Sequence, residues 1–171
     1  NVPVARANLE PHGIRVVDYD LEVTPRMPFD DNSFDVIINR HEAFDAQEVA
    51  RILKPGGVFL TQQVDGRDLG EMRAVFAQTS AYLHVNLANC SQGLLDAGLE
   101  IVQSEDWQGW SSFEDVGALV YFLRAAPWSA PDDFSVERYA ADLLALHRKG
   151  LPVRFGTRRF FIQARKPAHA S

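Results

Sequence analysis

The sequence predicts a mixed α/β domain, and two stretches carry the prediction. Pro28-Phe29-Asp30-Asp31-Asn32-Ser33 is a polar turn that runs into the apolar Phe34-Asp35-Val36-Ile37-Ile38-Asn39-Arg40-His41. After a short helical run, Leu53-Lys54-Pro55-Gly56-Gly57 stops the helix and Val58-Phe59-Leu60 opens a second apolar segment. Together they spell strand, helix, strand, the unit from which parallel sheets with ligand sites at the strand ends are built.

Taken in order, residues 3 to 11 carry a short helical pattern, with Gly13 where a helix end places a residue of positive φ. Ile14 to Val17 reads as a β-branched strand closing on Asp18-Tyr19-Asp20, and Leu21 to Ser33, with two prolines, as a loop. Phe34 to Asn39 is a continuous apolar run, the pattern of a strand covered on both faces. A helix begins near Asp45, whose carboxylate can accept from the free amides of the first turn, and Pro55 stops it. Val58 to Val64 is the next strand, turning polar at Thr61-Gln62-Gln63, where α/β sheets place ligand contacts.

Helices follow over Asp68 to Gln78 and Leu87 to Ala97, the second ended by Gly98. Leu99 to Val102 alternates as an exposed strand does. Ser111-x-x-Glu114 reads as a capping box for a helix through Val116, Leu119, Val120 and Leu123 that ends before Pro127. Ser135 can cap a helix to about His147, and Arg158 to Ala164 makes a final strand.

With 171 residues, 46% of them hydrophobic, and no linker-like stretch, the chain is expected to form a single domain, residues 1–171. A net charge of −6 argues against a polyanion-binding surface as the dominant feature. The one basic cluster, from Arg148 to Lys166, reads first as solvated helix and strand ends. One cysteine, Cys90, excludes an internal disulfide and a multi-cysteine metal site, in keeping with a reducing, cytoplasmic setting. No apolar run has the length of a membrane span.

Several groups can carry chemistry. Asp20 and Leu21 follow a strand end, where a carboxylate can accept from a purine amino group and an apolar side chain can press on the ring; the same acids can instead simply close the strand. Asn39, Arg40, His41 and Glu42 emerge together after the apolar strand. His41 can act as a general base with Glu42 orienting it or taking the proton itself, or Asn39 can cap the next turn while Arg40 and Glu42 pair in solvent. No second histidine or cysteine stands at ligand spacing, so no metal is expected. Gln62 and Gln63 can bond a polar substrate. Trp107, Trp110 and Trp128 with Tyr121 and Phe122 form an aromatic region that packs as core or lid, or shapes a pocket. Neither a nucleophile elbow nor a GxxxxGK phosphate loop occurs.

Met27-Pro28-Phe29-Asp30-Asp31-Asn32-Ser33-Phe34-Asp35-Val36-Ile37 resembles the "LPFxDxSFDxV" signature ahead of the fourth strand of class I S-adenosylmethionine-dependent methyltransferases. Arg51-Ile52-Leu53-Lys54-Pro55-Gly56-Gly57 resembles their "RvLKPGG" turn into the fifth. Pro131 to Ser135 and Arg159 to Lys166 are similar to closing segments of a bacterial branch of that family.

The resemblance implies a Rossmann-like fold with a mostly parallel sheet and an antiparallel C-terminal strand. It implies S-adenosylmethionine as cofactor, with Asp20 and Leu21 at the adenine and Asn39, Arg40 and His41 along its methionine and sulfonium portion. Methyl transfer needs a nucleophile held in line with the sulfonium methyl, so His41 or Glu42 is the candidate base and Gln62, Gln63 and Trp128 the candidate acceptor contacts. Residues 107–134 are expected to form an acceptor-pocket or lid insertion.

The family's glycine-rich loop after its first strand, and the acid after its second, have no counterpart here. The fold is therefore expected to be incomplete at its N-terminal side, with apolar edges exposed unless further residues or another chain complete the sheet. The chain alone can then be inactive. The function expected of the parent protein is methyl transfer to a small molecule, or to an RNA base. A non-catalytic methyltransferase-like module for assembly or regulation is the alternative, and a nicotinamide dehydrogenase lacks its own glycine fingerprint.

Overall fold

Arg51 and Lys54-Pro55-Gly56-Gly57 organise the first half of the molecule. The computed structural model describes residues 1–21 and 23–168. Helix α1 (Val2–Leu9) continues into a short 3-10 turn, Glu10–His12, and Gly13 takes the positive φ expected of it. Strand β1 (Phe34–Arg40), helix α2 (Ala46–Ile52) and strand β2 (Leu53–Val64) form the strand-helix-strand unit. Asp45 caps α2 as expected, its carboxylate accepting from the Glu48 amide at 2.9 Å.

The remaining elements are α3 (Gly70–Val75), α4 (Leu87–Asp96), β3 (Glu100–Phe113), α5 (Val116–Ala125), a 3-10 turn at Pro127–Ser129, α6 (Ala140–Lys149) and β4 (Val153–Arg165). The four strands lie in the order β1-β2-β4-β3. β1 and β2 are parallel, with Val36 opposite Val58 and Arg40 opposite Gln62. β4 is antiparallel to both β2 and β3, so the fold class expected from the sequence holds and the C-terminal strand has the direction expected of it.

Some expectations are corrected. Ile14–Val17 is not a strand: among the described residues no strand lies beside it, and extended backbone without a ladder partner is not held as sheet. Strand β1 is not covered on both faces: Ile37 packs against the core, whereas Val36 and Ile38, 52% and 75% exposed, share the face that the helices packed on the sheet leave uncovered. β2 starts at Leu53, ahead of Pro55, since the helix ends by itself at Ile52. Helix α3 is six residues long where Asp68 to Gln78 was expected, and Asp68 and Leu69 belong to the turn before it. β3 runs far beyond Val102, because pairing with β4 from Arg165 to Val153 holds a sequence that shows little alternation of its own. Ser111 lies in β3 and caps nothing; Asp115 caps α5 by accepting from the Ala118 amide at 2.7 Å. Ser135 caps a turn at Arg138, and α6 begins only at Ala140. The loop from Leu21 to Ser33 carries no helix or strand, apart from Glu22, which lies outside the described residues.

Two apolar clusters hold the sheet. One packs Val49 and Leu53 with Phe59, Leu94, Leu99, Phe160, Ile162 and Ala164, joining α2 and α4 to the strands. The other packs Met72 and Phe76 with Leu119, Leu123, Leu143, Leu146 and Phe155, joining α3, α5 and α6 to the far half of β4. Residues 107–134 contain the second half of β3 and all of α5, and α5 is part of this second cluster.

The signature turn before β1 is fixed by α2. Arg51 donates to Glu48 Oε1 and Oε2, both at 2.7 Å, to the Phe29 carbonyl at 2.8 Å and to Asp31 at 2.7 Å. Glu48 in turn accepts from the Met27 amide at 2.7 Å. Arg51 holds the Glu48 carboxyl below the usual carboxylate range, chiefly through their hydrogen bonds. Replacing Arg51 by methionine leaves the mostly covered Glu48 and the turn carbonyls without donors, and should lower Tm by roughly 5–10 °C. Because the folded-state pKa of Glu48 is depressed, its contribution is full above about pH 4.3 and fades as pH falls through the lower folded value. Thermal unfolding of R51M should lose that acid-sensitive component; an unchanged pH profile would contradict this role.

The Pro-Gly-Gly turn is equally specified. Gly56 has φ +80°, and a Cβ on Gly57 would lie 2.8 Å from the Lys54 carbonyl and 3.1 Å from that of Phe34. Lys166 closes the same corner, its Nζ donating to Asn32 Oδ1 and to the Ala50 and Leu53 carbonyls at 2.7 to 2.8 Å.

Candidate active site

Parallel strands deliver their C-terminal ends to one side of a sheet, and here the ends of β1 and β2 open onto a cleft of about 540 Å³. His41 and Glu42 come from the turn after β1, Gln63 from the end of β2, Asp65 and Asp68 from the turn beyond it, and Trp128 from the turn after α5. Phe122 and Ser129 add to the wall from the same region, and Arg159 reaches it from β4.

His41 has a φ of +57°, an uncommon conformation for a residue with a side chain, and its amide donates to the Gln62 carbonyl at 2.9 Å. This turns the chain off the strand and carries His41 and Glu42 to the cleft. Desolvation, with the positive charges of Arg40 and Arg159, pushes the imidazole below its ordinary pKa, while Asp68 acts against the shift. A neutral imidazole can accept a proton.

Behind the strand ends, Gln63 Nε2 donates to Asn39 Oδ1 at 2.5 Å, to the Glu42 carbonyl at 2.9 Å and to Thr61 Oγ1 at 2.8 Å. Thr61 Oγ1 donates to Asn39 Oδ1 at 2.9 Å. Asn39 is thereby a brace between β1 and β2. Asp68 Oδ1 accepts from Thr157 Oγ1 at 2.6 Å, the Arg158 amide at 2.7 Å and Arg159 Nη1 at 2.6 Å. Arg73 also donates to the Asp68 carbonyl. Asp65 is held by Arg67, which donates to both its oxygens and keeps its carboxyl below the usual range, so that its charge is neutralised locally.

The structure therefore brings together His41, Glu42, Gln63 and Trp128 of the residues singled out in the sequence. Gln62 alternates away from Gln63 and lines a smaller hollow of about 300 Å³ with Glu105 and Trp107. Asp20, Leu21, Asn39 and Arg40 are not among the residues lining the cleft; the Asp20 carbonyl accepts from the Thr24 amide at 2.9 Å. Asp68 and Arg159 were not singled out. Their signal in the sequence is slight: acids in the turn after a strand, and an Arg pair in a strand 91 residues from Asp68. Among the described residues no group of three or more His, Cys, Asp or Glu gathers as a metal site, and no helix is long and apolar enough to cross a membrane.

Comparison with known proteins agrees with this architecture. Residues 1–61, which contain the turn signature, β1, α2 and most of β2, match the family model described as a methyltransferase domain. No curated protein matches the sequence. A candidate methyltransferase of Bacillus halodurans shares the fold over 97% of this chain and 78% of its own, with a TM-score of 0.60 at 20% identity. The Haloferax volcanii candidate methyltransferase solved with the Trm112 methyltransferase activator matches over 99% and 68% of the two chains, TM-score 0.54 and 22% identity. The 4+2 cyclase SpnF matches over 98% and 62%, TM-score 0.52 and 21% identity. The chain thus has the α/β fold of the class I methyltransferases, as the resemblance in its sequence implied. A cyclase with the same fold shows that the reaction must be argued from the site.

Proposed function

We propose that this chain forms the acceptor side and part of the cofactor side of an S-adenosylmethionine-dependent methyltransferase acting on a small molecule. The observation that carries this reading is the delivery of His41, Glu42 and Gln63 by adjacent parallel strands to a single cleft, in a chain whose first 61 residues match a methyltransferase domain. The cleft offers hydrogen-bonding side chains at the strand ends and aromatic surface from Phe122 and Trp128, which suits a small acceptor molecule. S-adenosylmethionine, when bound, supplies the activated methyl. Asn39, Arg40 and His41, at and just after the end of β1, are the proposed contacts to its methionine portion, and Asp20 with Leu21 the proposed adenine contacts. His41 takes the acceptor's proton, with Glu42 beside it as the alternative base; residues 107–134 shape the acceptor pocket. An RNA base is the less favoured acceptor because the acids Glu42, Asp65 and Asp68 of the cleft lining outnumber its arginines, Arg73 and Arg159.

Calorimetric titration with S-adenosylhomocysteine and with NAD tests the reading. Binding of the first and not the second is expected, and the reverse would defeat it. Once a methyl acceptor is in hand, kcat/KM should rise with pH through an apparent pKa below about 6.5 and then level off, because a base must be deprotonated and burial lowers the His41 pKa. His41→Gln should flatten that limb. A limb that survives the substitution assigns the proton to another group.

A further inference from the structure

We infer that the cleft holds its ligand through two acceptor oxygens, Gln63 Oε1 and Asp68 Oδ2, and so selects a neutral group that donates hydrogen bonds on a flat apolar body. This deepens the proposed reading by naming the chemical class bound at the same site.

Both side chains sit in the cleft wall and both residues are more than nine-tenths buried, Gln63 6% and Asp68 8% exposed. Three hydrogen-bond partners fall on a single side-chain atom in each. For Gln63 they all meet Nε2, and because the Glu42 carbonyl can only accept, that atom must be the amide nitrogen. For Asp68 they all meet Oδ1. Among the described residues nothing donates to Gln63 Oε1 or Asp68 Oδ2, and no buried side-chain oxygen or nitrogen lacks a partner. The two oxygens are therefore not sealed in the protein; in residues that line the cleft, they open onto it.

Charge decides what kind of donor suits them. Arg159 lies 2.6 Å from Asp68, so the carboxylate already has its counter-ion and gains little from a second cation. Gln63 is neutral. A primary amide or an aromatic amine has two N–H donors, one for each oxygen, and a hydroxyl has one donor for either of them, in each case without adding charge. Phe122 and Trp128, the latter 77% exposed, supply apolar surface for the body that carries it. A ligand lacking the donor leaves largely desolvated acceptors unpaired, which penalises binding more than the donor's absence from water would suggest.

Matched probes test this on the whole chain: benzamide against N,N-dimethylbenzamide, and phenol against anisole, with benzylammonium as the cation. Kd values are followed by NMR at the tryptophan indole and histidine ring resonances. The donor-bearing member of each pair should bind about tenfold more tightly than its methylated partner. Asp68→Asn puts an NH₂ in place of one acceptor and should shrink or reverse that preference. The comparison in the unsubstituted protein stands whether or not the variant folds. Equal binding within both pairs, tighter binding of benzylammonium than of benzamide, or no probe shifting the Trp128 and His41 signals would overturn the inference. S-adenosylhomocysteine is titrated into the same sample. Its binding without donor preference defeats this inference alone, and donor preference without its binding defeats the cofactor reading alone.

Discussion

Phe59→Ala should remove about 3–5 kcal/mol of stability, one of the largest losses expected of a single side chain among the described residues. Phe59 is fully buried in β2, its ring centre 5.1 Å from that of Phe44, and it packs with Val49, Leu94, Phe160 and Ile162. Truncation removes apolar contact from both the sheet and the helices and leaves a cavity that the flanking strands cannot close. Against a total of about 5–15 kcal/mol for a domain, that is enough to leave much of the protein unfolded at body temperature. Urea unfolding measures it, with Phe59→Leu as the milder companion. A loss below about 1 kcal/mol would mean that this cluster is not the close-packed centre described above.

Gly66→Ala is expected to act on the cleft itself. A Cβ at that position would fall 1.9 Å from the Tyr82 carbonyl oxygen and 2.8 Å from the Leu83 Cα, both backbone atoms that cannot rotate aside. The Gly66 amide also donates to the Val85 carbonyl at 2.7 Å, a bond that cannot survive if residues 82–85 retreat. Tyr82 and Val85 line the cleft, so its wall moves with them. The cost is about 1–3 kcal/mol or more, accompanied by loss of S-adenosylhomocysteine or probe binding. Gly70→Ala is the control: it opens α3, nothing lies within 4 Å of its added methyl, and helix propensity favours alanine there. Thermal melts of the pair should therefore move apart, and indistinguishable melts would disprove the close approach at Gly66.

The elements legible in the sequence are those specified locally. Asp45 caps α2, Gly13 and Gly98 end their segments at positive φ, and the apolar runs at Phe34 and Val58 lie side by side and parallel. The parts that were not legible depend on distant partners. Gln103 to Trp110 looks like loop because its strand state is held by pairing with Gln163 to Gly156. Ile14 to Val17 has strand composition and no strand to join. The same division runs through the site. His41, Glu42 and Gln63 were visible because they follow apolar runs directly, whereas Asp68 and Arg159 become neighbours only when β4 comes in beside β2. Arg159 read as solvated charge for that reason.

The place of β4 in the sheet has a consequence for biosynthesis. Among the described strands it is the last made, yet it separates β2 from β3. While the nascent chain is still being extended, neither of those strands has the neighbour it will pair with on that side, and the second apolar cluster lacks Val153 and Phe155. Pairing of β2 and β3 with β4, and closure of the second cluster, therefore come only once residues 153–165 have left the ribosomal tunnel, so the contacts that join the two halves of the sheet form late in the order of synthesis.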